Sequence, residues 1–365
     1  MFFNFIKTIK FINKYNKNSI ILLSEGNTYY TTNKPIIDEL IKEIDVLYIT
    51  FEKNDNFFSY NHKRLHVIQL DYDFWGRLLL AMIKGNLLIT TTPSINVLSL
   101  KKSPNIKHYS YFMHSSTDIH YYQKHSFDYF DSVICSGNFQ VKSLNQLENK
   151  RKIHTKEKQV LGIPYYDIYK KEIINQVSNK KYILVAPSWG SNNFLNYINY
   201  DIFEIVFNLG YNIIYRPHPM SLIEELDNVN SIINKHSMGY NNLEFIVDKN
   251  YSPINSINMS CALISAHSGM VMDYILLTNK PVLFYNIKRD TSNLEHDDIS
   301  FISWDEKIIT NNTLQINNHN DLQNCLKNIL SYKRTNNIND IVNLGCSSKK
   351  IAEFFVNKFN IIKGN

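Results

Sequence analysis

The sequence predicts an α/β protein with two doubly wound domains, each built on a parallel β-sheet. Short apolar runs rich in β-branched residues recur along the chain, and stretches of helical length separate them. A polar, lysine-rich stretch near residues 165–180 interrupts this series, which then starts again. A chain of 365 residues is also long for a single hydrophobic core. We therefore expect a first domain over residues 1–170 and a second over residues 171–365, with a last helix that can pack back on the first domain.

The predicted strands are the apolar runs that lie between turn-forming or helical segments. In the first domain they are residues 20–23, 45–51, 67–70, 87–90, 108–113, 132–135 and 159–161. In the second domain they are residues 182–186, 212–215, 245–247, 262–265 and 282–285.

Residues 1–24 predict a basic amphipathic helix, because they contain no Asp or Glu and their side chains separate onto two faces. One face has Phe2, Phe5, Ile6, Ile9 and Ile12, and another has Lys7, Lys10, Lys14 and Lys17. Such a helix can lie in a membrane interface, although a surface helix packed on the first domain explains the same pattern.

Composition narrows the class of protein. A formal charge of +6 and a pI near 8.8 fit a phosphate-rich ligand or an acidic membrane surface, but the excess is too small and dispersed for nucleic acid. No stretch approaches the roughly 20 apolar residues of a membrane span, and no signal peptide is evident. The four cysteines form no Cys-x-x-Cys pair. We expect a cytoplasmic protein, attached peripherally to the inner face of the membrane.

Several common motifs are absent. The sequence has no GxxxxGK[ST] loop, no GxGxxG after a strand and no GxSxG nucleophile elbow. No acidic pair follows a strand, so we predict no metal site and no required cofactor.

Ligands of open α/β sheets bind beyond the carboxyl ends of the strands, so the polar residues there carry the functional prediction. Four such loops stand out, at residues 114–118, 187–191, 216–219 and 265–270. We expect all four to face one cleft between the domains.

The segment Tyr215-Arg-Pro-His-Pro219 is the most specific of these loops. Pro217 and Pro219 fix φ and hold Arg216 and His218 on a stiff, extended loop. An arginine can bind phosphate through two hydrogen bonds, and a protonated histidine beside it can neutralise a leaving phosphate. A rigid strand exit is the alternative explanation.

The segment Ser265-Ala-His-Ser-Gly269 precedes a predicted helix over residues 270–277. Free N–H groups at a helix N-terminus bind phosphate, and Ser268 adds a hydroxyl group, although a plain helix cap has the same sequence. Asp273, one turn further along, can accept a hydrogen bond from a sugar hydroxyl or simply favour the helix dipole.

His114 follows the predicted strand 108–113. A histidine at the carboxyl end of a strand can act as a general base, because its ordinary pKa is near neutrality. Asp118 is close enough in sequence to orient it or to contact the acceptor. A loop histidine bonded to backbone is the alternative.

Seven segments, taken together and in order, resemble one known family. They are residues 112–115, 127–137, 161–167, 185–190, 215–219, 265–274 and 280–285. Over residues 109 to 290 the chain resembles the CDP-glycerol glycerophosphotransferases, the teichoic-acid polymerases and their relatives in capsule synthesis.

The resemblance implies a GT-B fold, with two Rossmann-like domains facing a central cleft and the second domain holding the nucleotide donor. His114 would deprotonate the acceptor hydroxyl, and His218 with Arg216 would steady the pyrophosphate as CMP leaves. The reaction would be a direct displacement at the donor's β-phosphorus without a metal. The implied donor-side residues are Ser188, Arg216, Ser265, His267, Ser268, Gly269 and Asp273, and the acceptor-side residues are Ser115 and Asp118.

Two positions depart from the family pattern. Ala266 replaces an Asp of the donor loop, and Ser115 replaces the Gly that usually follows the base. The predicted function is transfer of glycerol phosphate or a related alditol phosphate from a CDP-activated donor to a glycan or lipid-linked acceptor at the membrane surface. The alternatives are a GT-B glycosyltransferase that uses a nucleotide sugar and a non-catalytic GT-B binding module. A UDP-sugar 2-epimerase is disfavoured, since no acidic residues are evident for abstraction at a sugar carbon.

Overall fold

The computed structural model describes residues 2–174, 180–332, 334 and 338–364, and it divides into two compact units. Unit 1 comprises Met1–Lys171, Ser292–Phe301 and Asn339–Asn365. Unit 2 comprises Glu172–Thr291 and Ile302–Ile338. Residues 292–301 were predicted in the second domain, whereas here they are part of unit 1. The last helix, which was expected to be able to pack back on the first domain, is also part of unit 1.

Each unit contains one sheet. The strands of unit 1 are β1 Ser19–Ser24, β2 Asp45–Thr50, β3 Leu65–Gln69, β4 Gly85–Thr90, β5 Ile106–Phe112, β6 Ser132–Cys135 and β7 Glu157–Val160. Those of unit 2 are β8 Tyr182–Val185, β9 Asn212–Tyr215, β10 Phe245–Val247, β11 Ser260–Ser265, β12 Val282–Tyr285 and β13 Leu314–Ile316.

The helices connect and cover these strands. Along the chain they are α1 Phe2–Tyr15, α2 Tyr30–Glu43, α3 Phe74–Met82, α4 Asn138–Arg151, α5 Tyr166–Glu172, α6 Ile202–Asn208, α7 Ser221–Glu224, α8 Leu226–His236, α9 Ile254–Met259, α10 Gly269–Leu277, α11 Trp304–Asn312, α12 His319–Lys327 and α13 Ser348–Gly364.

Both sheets are parallel and doubly wound. The strand order is β3-β2-β1-β4-β5-β6-β7 in unit 1 and β10-β9-β8-β11-β12-β13 in unit 2. The order therefore reverses between β1 and β4 and between β8 and β11, where such folds bind ligands. The prediction of two doubly wound α/β domains is confirmed, and every predicted strand forms. The edge strand β13 was not predicted.

The strands are apolar because both faces of a parallel sheet are covered. All six residues of β1 are buried. In unit 1 the α2 residues Ile36 and Leu40 share a core with the α13 residues Ile351 and Phe355. The last helix thus covers the first sheet with apolar side chains.

The segment 292–301 belongs to unit 1 through a buried ion-pair network around Arg151. The guanidinium donates to Asp128 at 2.7 Å and to Asp298 at 2.8 and 2.9 Å, and it also contacts Glu295. The side chains of Arg151 and Glu295 are 8% and 0% exposed. Because these acids lie far along the chain from Arg151, the sequence could not show that the segment returns to unit 1.

Helix α1 forms at the predicted place, and its second half packs on unit 1. Ile12 is buried, and the ring of Tyr15 stacks on His66 with centroids 3.6 Å apart. Ile6 is 38% exposed, and the side chains of Phe2 and Phe5 lie outside the described residues. Within the described part of the chain, no helix combines the length and apolar character that crossing a bilayer requires.

Candidate functional site

The first group of candidate residues lies at the carboxyl ends of β1, β4 and β5, which are neighbours in the sheet of unit 1. The pairing places Leu23 opposite Thr90 and Thr90 opposite Tyr111. The residues that follow these strands therefore emerge side by side, beside the point where the strand order reverses.

The backbone of the neighbouring strand fixes the tautomer of His114. Its Nδ1 lies 2.9 Å from the carbonyl oxygen of Thr91 and 2.9 Å from Tyr111 Oη. Because a carbonyl oxygen only accepts hydrogen bonds, Nδ1 carries the proton and Nε2 keeps its lone pair. Tyr111 Oη then accepts from His114 and donates to Tyr122 Oη at 3.5 Å.

Three tyrosine rings surround His114. Ring centroids of Tyr29, Tyr122 and Tyr111 lie 5.1, 5.7 and 6.3 Å from that of the imidazole, each in an edge-on arrangement. Burial lowers the pKa of His114 to about 4, and the hydrogen bond to Thr91 opposes this shift. The ring is therefore neutral at neutral pH, and Nε2 can accept a proton.

Asp118 was expected to orient His114 or to contact the acceptor, and the partners recorded for it lie in its own loop and in α4. Its fully buried carboxylate accepts hydrogen bonds from the Ile119 N–H and the Ser143 hydroxyl, each at 2.8 Å, and its other oxygen lies 3.4 Å from His120 Nδ1. Thr91 instead supplies the partner that orients His114.

Ser115 lies directly after His114, and its hydroxyl oxygen is 2.9 Å from that of Thr117. Contact of Ser115 or Asp118 with an acceptor stays a prediction.

The second group lies at the carboxyl ends of β9, β8 and β11, which are neighbours in the sheet of unit 2. The loops after these strands cover residues 186–190, 216–219 and 266–269. They contain one ionised side chain, Arg216, and no acidic residue.

His218 has the opposite tautomer to His114. Its Nδ1 accepts a hydrogen bond from the Met220 backbone N–H at 3.1 Å, so the neutral ring carries its proton on Nε2. Burial and the nearby charge of Arg216 lower the pKa of His218 to about 4, while Glu225 opposes the shift. The half-exposed ring of Trp189 stacks beside it, with centroids 6.2 Å apart.

Arg216 forms hydrogen bonds that join two neighbouring loops. Its Nη1 donates to Asp248 Oδ2 at 2.6 Å, and its Nη2 donates to the carbonyls of Asn250 and Tyr251 at 2.7 and 3.1 Å. The residue is 9% exposed. These contacts hold the loop after β10 against the loop after β9. Binding of phosphate by Arg216 stays a prediction.

Ser265 and His267 also hold their loop in place. The buried Ser265 hydroxyl donates to the carbonyl of Ala186 at 2.5 Å, which joins the ends of β11 and β8. His267 Nε2 donates to the carbonyl of Ile287 at 2.9 Å. Burial lowers the pKa of His267, so this ring is neutral as well.

The N-terminus of α10 is open to a ligand. Ser268 caps the helix by accepting from the Met270 N–H at 3.3 Å. A Cβ atom built on Gly269 would meet no atom within 4 Å, so the space over the first turn is free. Ser188 is buried in the loop after β8, and Asp273 is half-buried within α10. Their roles in donor binding stay predictions.

Two residues of unit 1 escaped the sequence analysis. Thr91 acts through its carbonyl oxygen, which no side-chain pattern reveals. Glu25 follows β1 at the reversal of strand order, and it would have been found by applying the strand-end rule to the first strand as well.

Comparisons with solved structures show the fold. A variant of the wall teichoic acid polymerase TagF has a TM-score of 0.60 and 15% identity, over 96% of this chain and 91% of its own. The UDP-GlcNAc 2-epimerase from Methanocaldococcus jannaschii, in complex with UDP-GlcNAc and UDP, has a TM-score of 0.61 and 16% identity, over 93% and 99% of the two chains. A glycosyltransferase of avilamycin A biosynthesis has a TM-score of 0.51 and 10% identity, over 95% and 98%.

No protein-family model and no curated protein matches the chain. The structural neighbours confirm the GT-B type of fold, with two Rossmann-like domains, that the resemblance implied. At these identities the likeness extends to the fold alone.

Proposed function

We propose that the protein transfers an alditol phosphate, such as glycerol phosphate, from a CDP-activated donor to a hydroxyl group of a cell-surface glycan or a lipid-linked acceptor. The observation that carries this proposal is the pair of opposite histidine tautomers. His114 offers a lone pair on Nε2, and His218 offers a proton on Nε2. Both residues follow the carboxyl ends of inner strands.

In the proposed reaction His114 acts on the acceptor. Its Nε2 takes the proton of the acceptor hydroxyl as the oxygen attacks the donor's β-phosphorus. The imidazolium that forms keeps its Nδ1–H bonded to the Thr91 carbonyl, which favours the charged ring. General base catalysis of this kind contributes about 10²- to 10⁴-fold in rate.

The donor side supplies hydrogen bonds to the departing group. As the new bond to the β-phosphorus forms, the bond from that phosphorus to the bridging oxygen breaks, and CMP leaves with the electron pair. The Nε2–H of His218 and the positive end of the α10 helix dipole are suited to this developing charge.

Transfer of a sugar from a nucleotide sugar is the second candidate. It is supported by the glycosyltransferase of avilamycin A biosynthesis, which has this fold, and by the nucleotide sugar in the epimerase complex. The TM-score of that epimerase equals that of TagF within 0.01. The fold therefore favours neither donor. Glycosyl transfer releases a nucleoside diphosphate, whereas phosphotransfer releases CMP.

Nucleotide release separates these candidates. The full chain is incubated with CDP-glycerol, CDP-ribitol or a panel of nucleotide sugars, together with a lipid-extract acceptor, and the released nucleotides are resolved by chromatography. We expect CMP, reduced at least about 100-fold in His114→Ala and in His218→Ala. His319→Ala, on α12, is the control that should retain activity. A nucleoside diphosphate would overturn the phosphotransfer, and no release from any donor would favour the binding module.

We also propose that α1 attaches the protein to the inner face of the cytoplasmic membrane. Lys10 and Lys14 are exposed on this helix, while Ile12 anchors it to unit 1. Changing both lysines to Glu removes attraction to anionic lipid but keeps the packed face. Sedimentation with anionic vesicles should fall at least about tenfold, since each basic residue near such a surface contributes about 1 kcal/mol. Equal sedimentation of variant and parent would refute the attachment by α1.

A further inference from the structure

The loop after β1 is held rigidly at the point where the strand order of unit 1 reverses. The side chain of Asn27 donates to Glu52 Oε1 at 2.8 Å and to the Asn54 carbonyl at 2.9 Å, and it accepts from the Asn56 N–H at 2.8 Å. Gly26 has a φ of 123°, and a Cβ atom there would lie 2.2 Å from the Glu52 carboxylate. The conformation of this loop is therefore fixed by side chains around it.

Glu25 projects from this braced loop. Its neighbours Ser24 and Gly26 are buried, whereas Glu25 itself is exposed. Ser24 Oγ accepts the N–H of Gly26 at 3.1 Å and so fixes the backbone on both sides of Glu25. Glu25 is thus held at the surface by a rigid loop.

Glu25 lies in the surroundings of His114. Leu23, two residues before Glu25, pairs with Thr90, two residues before Thr92, so the two segments leave the sheet side by side. Its charge adds to the burial that raises the pKa values of Tyr29 and Tyr111, the first of which packs against His114 and the second of which bonds to its Nδ1. Partial burial of the carboxylate raises the pKa of Glu25 itself.

The loops around His114 differ in charge from the candidate loops of unit 2. The loop segments 24–29, 91–97 and 113–117 contain Glu25 as their one acidic residue and no Lys or Arg. A phosphate or carboxylate placed there would meet a like charge with no cation from these loops to balance it. An uncharged polyol would instead find in the Glu25 carboxylate an acceptor of two or more hydrogen bonds.

We propose that Glu25 determines acceptor specificity by accepting hydrogen bonds from an uncharged sugar or alditol terminus and by excluding termini that carry phosphate or carboxylate. This inference rests on the proposed function insofar as it assigns the His114 side to the acceptor. In this proposal Glu25 binds the acceptor and takes no part in proton transfer.

The test measures binding without a donor, so that it does not depend on turnover. The probes are octyl glycosides of several neutral sugars and octyl glycerol, each with and without phosphate on a terminal hydroxyl. Affinities for the full chain are compared among the parent, Glu25→Gln and Glu25→Lys. Glu43→Gln is the matched control, because Glu43 is also exposed in unit 1 but lies at the amino end of β2, away from His114.

We expect the parent to bind at least one uncharged probe more tightly than its phosphate. Glu25→Gln should lose about tenfold or more of that affinity, as expected for a charge-assisted hydrogen bond, and Glu25→Lys should reverse the preference. Glu43→Gln should match the parent. The proposal is overturned if no uncharged probe binds better than its phosphate, or if Glu25→Gln leaves the ratio unchanged.

A kinetic readout separates this inference from the proposed function. Where CMP release occurs, Glu25→Gln should raise the acceptor KM and leave the donor KM unchanged. A raised donor KM would show that Glu25 affects binding of the donor, which would contradict its assignment to the acceptor. If no CDP donor releases CMP but the binding ratios hold, the proposed reaction fails while the acceptor site stands.

Discussion

The Nδ1 atom of His114 lies 2.9 Å from the carbonyl oxygen of Thr91. A backbone group that cannot donate a hydrogen bond therefore decides which nitrogen of the ring is basic. In serine hydrolases a carboxylate holds the corresponding position. Here a neutral carbonyl does so, which orients the ring without adding a charge.

The opposite tautomers can be observed directly. Long-range ¹H–¹⁵N NMR spectra at pH 7 should show His114 protonated on Nδ1 and His218 protonated on Nε2, because Thr91 accepts from one ring and Met220 donates to the other. The variants His114→Gln and His218→Gln assign the signals. The same tautomer for both rings would contradict the proposed division of roles.

The pH dependence of kcat/KM should lack a step near pH 6.5. The pKa of His114 is lowered to about 4 by burial, so its basic form is fully populated from about pH 6 upward. Activity should be flat between about pH 6 and 8 and fall only as the pH approaches about 4. An inflection near 6.5 that disappears in His114→Gln would show that the ring titrates as an exposed histidine.

The free energy of unfolding should also decrease over the acidic part of this pH range. The folded pKa of His114 lies below its unfolded value, so the folded state binds fewer protons, and the free energy of unfolding falls as the pH drops below about 6.5. Circular dichroism at each pH distinguishes lost structure from lost activity.

Gly269→Ala should separate folding from ligand binding. The new methyl group meets no atom within 4 Å, and alanine favours a helix, so the free energy of unfolding should stay constant or rise by up to about 1 kcal/mol. If a donor phosphate approaches the first turn of α10, the methyl group should raise the donor KM. Gly364→Ala is the matched control, since it has equal space in another helix. Equal donor KM values for both variants would show that the donor phosphate does not bind at the first turn of α10.

Arg151→Met should destabilise unit 1 strongly. It leaves the carboxylates of Asp128, Glu295 and Asp298 without their shared cation, and Glu295 is fully buried. The expected loss is about 3–5 kcal/mol in urea denaturation. Lys150→Met removes a cation that also pairs with Asp298 but is 50% exposed, so it should cost at most about 1 kcal/mol. Similar losses for both variants would show that burial of the network matters little.

The sheets could be predicted because each inner strand is a local apolar run with turn or helix signals around it. The strand Leu314–Ile316 was missed because it has three residues with Gln315 at its centre and lies at a sheet edge. A short edge strand leaves little pattern in the sequence.

The partners that hold the candidate side chains could not be predicted. Arg216 pairs with Asp248, 32 residues further along the chain, and its binding of phosphate stays a prediction. Asp118 accepts a hydrogen bond from a hydroxyl of α4, and its contact with an acceptor stays a prediction. Such pairings depend on tertiary packing, and one sequence does not encode them in any local pattern.

The division of unit 1 among three chain segments affects how the protein is made. During synthesis the first sheet leaves the ribosome long before the residues of α13, which cover its α2 side with Ile351 and Phe355. That apolar surface stays open to chaperones, or to other nascent chains, until α13 has been translated. A gene cut after residue 171 would encode a sheet with one side uncovered, so the two units cannot be obtained as independent fragments by a single cut.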